Sequence, residues 1–564
     1  MRTRDANGET ISEMNGADLL VQWLQHRGVG FVSVLCGNGL DPFLDASRRG
    51  ELRIVDTRNE QTASYIADAY ARLTGGLGVC AVSSAVGHAN AMIGLVNAHF
   101  DGAPMLLITG ATAQDTRGLG NFQELDHIPL AEPLCKYARW VERVDQLEAC
   151  LEQAVGAAIS GRPGPVHLTV PIDVLEAPAE SSIRPMACPT GTCGVVEPPP
   201  GGPRDTAAVT EAAKMLVKAE RPVLVVGTGA FYARSDAAIE VLAKTTDVPV
   251  VVPIWDRGVI DRPIEQFMGV VGAASGGPEL LGDADLIVYV GARIDYRTGY
   301  GRPPVIKPDC RIVRIDVDAD ELHQGRAPDV AIVGNPRLVV DQLAHAFERL
   351  DGKPHRAWLD EARKRDRAFR SPWLDTPMPA APPMTGRHVV EAIRPFVQDD
   401  AIFLVDGGNI GQWAHMALCD RYPAEWLTCG ASAVVGWGLG GAMAARLAAP
   451  DRPVILLSGD GASTFTIADL ESAARQGLPF VMVLADDEAW GIVVTGQGRH
   501  YGADNLTGCK LGPIRYDQLA ESLGCHGVRV EAPDAIGPAI ERGLAADRPT
   551  LVHVPIATGG PADV

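Results

Sequence analysis

Basic charge, paired cysteines and long apolar runs are all scarce in this chain of 564 residues. Lysine and arginine total 50 against 70 aspartates and glutamates, a formal net charge of −20. That balance argues against nonspecific binding to nucleic acid or to an anionic membrane surface, because both need a basic patch. Eleven cysteines are scattered without a CxxC pair, and only Cys188 and Cys193 lie close together. Neither a zinc site nor a disulfide framework is expected, and a reducing compartment is. No apolar stretch reaches the roughly 18 residues of a membrane span. The polar N-terminus has no signal-peptide core, so the cytoplasm is the expected location. No full GxGxxG occurs among the glycine turns of residues 204–350, which argues against a nicotinamide-dependent dehydrogenase.

What is present is ample apolar material. Hydrophobic residues make up 46% and charged residues 21%, the balance of a globular protein with a sizeable core. The length predicts three or four domains. Strand-like and helix-like patterns alternate in three blocks, 13–185, 204–350 and 386–564. In the first block, Gly30–Leu35, Ile54–Thr57, Gly78–Val82 and Met105–Thr109 read as strands, with Ala17–Leu24 helical. In the second, strands are read in Pro222–Gly227, Asp285–Gly291 and Ile312–Asp318. Residues 1–12 are expected to fray. The Pro/Gly stretch Glu197–Pro203 and the charged, proline-rich segment 351–385 read as linkers. The alternation predicts an α/β fold of three doubly wound parallel-sheet domains.

The third block is organised around Leu456–Gly491. Pro453–Leu457 reads as a buried strand, broken by Gly459-Asp460-Gly461. Phe465, Ile467, Leu470 and Ala474 then recur at helical spacing, up to the stop at Gly477-Leu478-Pro479. A second strand, Phe480–Leu484, runs into Asp486-Asp487. Each strand therefore ends on an acid, at the sheet edge where such folds bind ligands. Glycines around Asp460 let the backbone approach a phosphate, and the helix behind favours an anion. A diphosphate held through carboxylates calls for a hard divalent cation, most simply Mg2+. Gly-Asp-Gly alone is a common turn. The second acid, 27 residues on, gives it meaning.

This stretch resembles the diphosphate–metal motif of thiamine-diphosphate (ThDP) enzymes, where the second pair is usually Asn-Asn. Asp486-Asp487 adds negative charge at that place. The resemblance implies ThDP and Mg2+, the metal held by Asp460, Asp487 and the backbone carbonyl of Ala489. It implies cofactor contacts from Gly459, Gly461, Ala462, Ser463, Trp490 and Gly491, and from the turn Gly407-Gly408-Asn409. Gly430–Gly440 resembles the family's Gly-Ser-Met-Gly loop, whose large apolar residue wedges the cofactor into a bent shape. The matching position is Ala433, with Ala431 nearby. The helix beginning Arg58-Asn59-Glu60-Gln61 resembles the one carrying the catalytic glutamate. Glu60 would hydrogen-bond N1′ of the aminopyrimidine, which in turn removes the thiazolium C2 proton. Ser83–Asn90 resembles the small-residue loop that borders the pyrimidine, here through Ser84, Gly87 and Asn90, with His88 a plain turn residue. Asn121–Asp126 looks like the Phe-Gln-Glu segment of acetolactate synthases and 2-hydroxyacyl-CoA lyases. Gln123 would face the substrate beside Asn38, Phe122 and Val494, and Glu124 would be an exposed loop acid.

The resemblance runs nearly the whole chain and implies cleavage or formation of a carbon–carbon bond next to a carbonyl. The substrate would be a 2-oxo acid, an aldehyde or acyloin, or an acyl-CoA. Asp486–Gly491 is close in form to the benzaldehyde lyase segment, yet Cys36–Gly39 lacks the histidine of that lyase. The adjacent histidines of pyruvate decarboxylases are also absent. Asp406–Asn409 is similar to the CoA lyases, but no basic tail follows the last strand, Thr550–Pro555, to close on CoA. Arg293–Gly299 resembles the flavin-contacting loop of acetolactate synthases, so the middle domain would hold FAD, the ADP moiety of CoA, or nothing. A noncatalytic ThDP-binding paralogue would be expected to lose Glu60 or the metal acids. The family resemblance further implies a homodimer or homotetramer, with each site at a dimer interface and built from two subunits.

Overall fold

Runs rich in valine, isoleucine and leucine become strands buried on both faces, as parallel sheets between helices require. The computed structural model describes residues 2–4, 10–12, 14–180, 206–272 and 277–561. The predicted linker 197–203, Cys188 and Cys193 lie outside them. Among the described residues are three six-stranded sheets in which every pairing is parallel. No helix among these residues is long and apolar enough to cross a membrane.

The chain divides into two compact units. The first comprises residues 1–196 together with 439–448 and 471–476. Its sheet runs in the order Arg53–Asp56, Phe31–Leu35, Gly78–Val82, Met105–Ala111, Val166–Pro171, Tyr137–Trp140. Strand order reverses between Phe31–Leu35 and Gly78–Val82, so the ends of these two strands flank the crevice where such sheets take ligands. The later segments are tied on by ion pairs: Arg475 to Asp56 at 2.9 Å and Arg58 to Glu471 at 2.8 Å.

The second unit holds the other two sheets. One has the order Phe267–Val271, Val250–Pro253, Pro222–Val226, Leu286–Val290, Arg311–Asp316, Val330–Val333. The other runs Trp426–Thr428, Ile402–Asp406, Val454–Gly459, Val481–Asp486, Thr550–Pro555, His526–Arg529. Its reversal falls between Ile402–Asp406 and Val454–Gly459. A single bridge between Ile260 and Tyr422 joins the segments that lead out of the two sheets.

Three local expectations are corrected. The presumed linker 351–385 contains a 19-residue helix, Arg356–Leu374. Its narrow apolar face buries Trp358, Leu359, Ala362 and Trp373. Pairs four residues apart, Glu361 with Arg365 at 3.1 Å and Asp366 with Arg370 at 2.9 Å, support the solvent side and disguise the helix as a charged run. The helix expected after Gly461 is broken into Asp460–Ser463, a 3-10 turn at Ile467–Asp469, and Leu470–Arg475. Ser463 Oγ and Thr464 Oγ1 each donate to a backbone carbonyl at 2.8 Å, and such bonds compete with a helical ladder. Phe465 consequently points outward, 46% exposed. Finally, Arg2–Arg4 and Thr10–Ser12 do not fray but pair antiparallel.

Candidate active site

At the reversal point of the last sheet, Asp406 lies opposite Ser458 and the two strands end side by side. A cavity of about 190 Å³ opens there. Its lining includes Gly407, Gly408, Asn409, Gly459, Asp460, Gly461, Ala462, Asp487, Ala489, Trp490 and Gly491, all singled out in the sequence. Asp460 is buried, and its Oδ2 meets no donor in the protein. Burial, and then the Asp487 carboxylate, raise its pKa. Burial raises Asp487 as well, while Asn409 Nδ2, 3.4 Å from its Oδ2, acts in the opposite sense. A cation beside them would relieve the buried, bare-oxygened Asp460, whose charge the half-buried Asp487 disfavours. Among the described residues no cluster of three or more His, Cys, Asp or Glu side chains could hold a metal.

The loop that carries Asp487 and Ala489 is held under strain. Glu488 between them has φ +49°, a conformation that costs a non-glycine residue of order 1–3 kcal/mol. Asp486 Oδ1 accepts the Glu488 N–H at 3.1 Å. The Leu511 N–H reaches the Glu488 carbonyl at 2.7 Å and the Trp490 N–H reaches Cys509 at 2.8 Å. A Cβ on Gly491 would lie 2.6 Å from Asp487 Oδ2, so only glycine lets the next helix begin against that carboxylate.

Other residues singled out in the sequence sit elsewhere. Ala433 is exposed, with φ +55°; the side chain that lines the cavity from this loop is Val435. Asp406 fixes the loop by accepting from Gly436 N at 3.2 Å and Gly438 N at 2.9 Å. The Ala431 carbonyl accepts from Tyr296 Oη at 3.0 Å. Ser463 caps its own turn. Val494 is displaced by its neighbours Ile492 and Val493, which line the cavity with Ile410 and Ile556. These apolar walls carry no signal beyond lying next to glycine turns.

In the first unit, Asn38 Nδ2 donates to Ser84 Oγ at 3.1 Å and to the Phe122 carbonyl at 3.3 Å. Glu60 begins the helix Glu60–Thr74, capped by Asn59 through Gln61 N at 2.8 Å. The Glu60 side chain is buried, and Asn90 Nδ2 donates to its Oε2 at 3.1 Å. A Cβ on Gly87 would fall 3.2 Å from Glu60 Oε1 and 2.4 Å from Ser83 Oγ, so the loop can approach the carboxylate only as glycine. Gln123, at φ +52°, lines a separate cavity of about 270 Å³ with Ser84, Arg117, His127 and Trp140. The Phe122 side chain is exposed. Glu124 does more than face solvent. It accepts the backbone N–H of Gly118, of Gly120 at 3.1 Å and of Asn121 at 2.9 Å, which lowers its pKa and ties the loop.

Behind the Ser83–Gly87 turn lie three buried histidines, 88, 127 and 167, absent from the sequence reading as a group. Ring centroids are 4.8 Å apart for His88 and His127 and 4.7 Å for His88 and His167. His127 Nε2 accepts the N–H of Ala85, itself at φ +50°, at 2.9 Å. Thr109 Oγ1 bonds His88 Nδ1 and His167 Nε2, Thr169 Oγ1 bonds His127 Nδ1, and Trp140, under Arg117, stacks on His127; His88 Nε2 and His167 Nδ1 are buried without a partner among the described residues. Burial lowers the pKa of all three: His88 to about 3, His127 to about 4 and His167 well below the usual value. Asp126 pulls His127 up and Arg117 pushes it down, both less than burial. Folded-state values below the unfolded one mean stability is full above pH ~6.5 and is lost as pH falls from there toward the folded values, each histidine costing about 1.4 kcal/mol per pH unit. The wild type should thus lose stability steeply between about pH 6.5 and 5, and the His88→Gln/His167→Gln variant less so. Chemical denaturation across that range checks this; parallel pH profiles for the two proteins would refute it.

The glycine turn of the middle domain spends its donors internally. Gly227 N donates to Val290 O at 3.0 Å and Gly229 N to Gly291 O at 2.9 Å. Thr228 N faces Asp256 Oδ2 at 3.4 Å. Arg293 is forked onto Glu321, with Nε 3.0 Å from Oε2, and Arg297 onto Asp256 and Asp295 at 2.7 and 2.8 Å. The residues present do not offer the free N–H cradle a dinucleotide diphosphate uses at such a turn.

Comparison with known proteins agrees with the geometry. Residues 14–130 match the thiamine pyrophosphate enzyme N-terminal TPP binding domain, 209–343 the central domain, and 406–554 the C-terminal TPP binding domain. The acetolactate synthase large subunit of Parasynechococcus marenigrum is 30% identical over 572 residues, covering 98% of this chain and 89% of the relative. The acetolactate synthase large subunit IlvG of Mycobacterium tuberculosis is 28% identical over 559 residues, covering 98% and 97%. The bovine 2-hydroxyacyl-CoA lyase 2 is 30% identical over 556 residues, covering 92% and 86%. The chain belongs to the thiamine-diphosphate-dependent enzyme superfamily.

Proposed function

We propose that the protein is a ThDP- and Mg2+-dependent enzyme that makes or breaks a carbon–carbon bond next to a carbonyl, acting on 2-oxo acids or acyloins in the manner of acetolactate synthases. The observation that carries this reading is the bare Asp460 Oδ2 facing Asp487 in a glycine-lined crevice. Asp460, Asp487 and the Ala489 carbonyl hold the metal. The Gly407–Asn409 turn and the Asp460–Ala462 helix start would hold the diphosphate, with Val435 as an apolar wall beside the cofactor. When bound, ThDP would supply a nucleophilic carbon and an electron sink. Glu60, held by Asn90, keeps and exchanges a proton at N1′ of the aminopyrimidine. Asn38, Ser84 and Gln123 orient the substrate. Each site combines Glu60 of one chain with Asp460 of another, in a homodimer or homotetramer.

The lyase relatives keep a 2-hydroxyacyl-CoA reaction in view, but the occupied donors of the Gly227–Gly229 turn favour a substrate without CoA, and a protein without flavin. A panel of pyruvate, aromatic acyloins and 2-hydroxyacyl-CoA thioesters, supplied with ThDP and Mg2+, tests this. Turnover of pyruvate or an acyloin by a colourless protein is expected. Turnover confined to the thioesters, or a stoichiometric bound flavin, would overturn the choice.

A further inference from the structure

A buried chain of side chains leads from the metal loop toward the protein surface. Asp486, the last residue of its strand, divides its carboxylate: Oδ1 accepts the Glu488 N–H at 3.1 Å and Oδ2 lies 2.8 Å from His553 Nε2. His553 is fully buried on the neighbouring strand Thr550–Pro555, and its Nδ1 lies 3.3 Å from Asp517 Oδ1. Asp517 is gripped in turn by Arg515, Nε to Oδ1 at 2.9 Å and Nη2 to Oδ2 at 2.6 Å. Tyr516 packs edge-on against the imidazole, 5.4 Å between centroids, so the ring has no freedom to turn away. Every member thus locks the next, and the last one caps the strained turn at Glu488.

We propose that Asp517–His553–Asp486 is the positioning element of the metal loop: it fixes Asp486, which holds the Glu488 turn in the form that aims Asp487 and the Ala489 carbonyl at one point. The inference rests on the reading of that loop as a metal–diphosphate site. It also accounts for an aspartate at 486, where the motif usually has asparagine. With His553 beside it, position 486 needs one oxygen for the turn and a second for the ring, and a carboxylate supplies both. Without His553, a buried carboxylate would stand unmatched beside Asp460 and Asp487, and asparagine would be preferred.

The test is Mg2+ titration of the full-length protein with saturating ThDP, followed by calorimetry, alongside the heat-denaturation midpoint of the cofactor-free protein. Asparagine at 553 reaches about as far as Nδ1 and glutamine about as far as Nε2. His553→Asn should weaken Mg2+ binding on the order of 10–100-fold, the usual scale for losing a residue that orients a metal ligand, and should lower the midpoint as well, because Asp486 is left unmatched. His553→Gln should stay within a few-fold of wild type. Adding Asp486→Asn to His553→Asn should recover part of the loss, because the unmatched charge goes. Should His553→Asn fail to fold, Asp517→Asn carries the test, with a smaller loss expected. Equal Mg2+ affinity for His553→Asn, His553→Gln and wild type overturns the proposal, as does an Asp517→Asn variant that matches wild type. A wild-type protein that binds ThDP without regard to Mg2+ overturns the functional reading itself, and the proposal with it.

Discussion

Asp460→Ala is expected to abolish measurable ThDP binding while making the cofactor-free protein more resistant to unfolding. Both effects come from one carboxylate. It is buried, one of its oxygens has no partner, and Asp487 opposes its ionisation. Without a cation, that arrangement destabilises the fold by the scale of an unsatisfied buried polar group, about 1–3 kcal/mol. With a cation, the same oxygens become the binding site. Removing them leaves the diphosphate facing Asp487 uncompensated, a loss beyond the roughly 100-fold that merely misorienting a ligand causes. Asp460→Asn separates charge from volume: it keeps the shape, relieves the repulsion and should bind ThDP far more weakly than wild type. Calorimetry with ThDP and Mg2+, paired with thermal unfolding of the cofactor-free proteins, reads both limbs. Unchanged ThDP affinity in either variant would end the assignment of Asp460.

Glu60→Gln should do the reverse, sparing binding and removing turnover. Glutamine can still accept from Asn90 Nδ2, 3.1 Å from Oε2 in the wild type, and it fits beside Gly87. What it cannot do is exchange a proton. The expected drop in turnover is of order 10²–10⁴, the range of a lost general acid–base group. Hydrogen exchange at C2 of bound ThDP, followed by NMR, should slow in parallel; a wild-type rate would rule the role out. The same variant addresses the shared-site proposal. Chains carrying Glu60→Gln, co-refolded with chains carrying Asp460→Ala, should regain activity, because one mixed site then has both residues intact. Verified mixed dimers that stay inactive would defeat that proposal.

The legible parts of the site were those written locally. Gly459-Asp460-Gly461 and Asp486-Asp487 announce themselves because a strand end, a glycine and an acid are consecutive in the chain. Glu60 is legible only through the family resemblance of its helix, because an acid at a helix start is by itself an ordinary favourable charge. Val435 rather than Ala433 lines the cavity from its loop, and what fixes that loop lies outside it in the sequence. Asp406 receives Gly436 and Gly438 there, bonds that span 30 and 32 residues. The helix Arg356–Leu374 was hidden because four buried residues suffice to dock it while its remaining faces are charged. His88, His127 and His167 meet only because a helix, a loop and a strand far apart in the sequence converge. The pairing of Asp486 with His553 likewise requires knowing that Val481–Asp486 lies beside Thr550–Pro555. No window of sequence contains either group.

The discontinuous make-up of the first unit sets a timetable for synthesis. Residues 439–448 and 471–476 belong to the same compact body as residues 1–196. The first sheet can emerge from the ribosome early, but Asp56 and Arg58 wait for Arg475 and Glu471. Roughly 280 residues separate the end of the first segment from the last borrowed helix, which at 5–20 residues per second amounts to roughly 15–55 s of translation. Throughout that interval the nascent N-terminal body is incomplete on one flank. Pulse-labelling followed by protease challenge should show it becoming resistant only once residue 476 has cleared the exit tunnel.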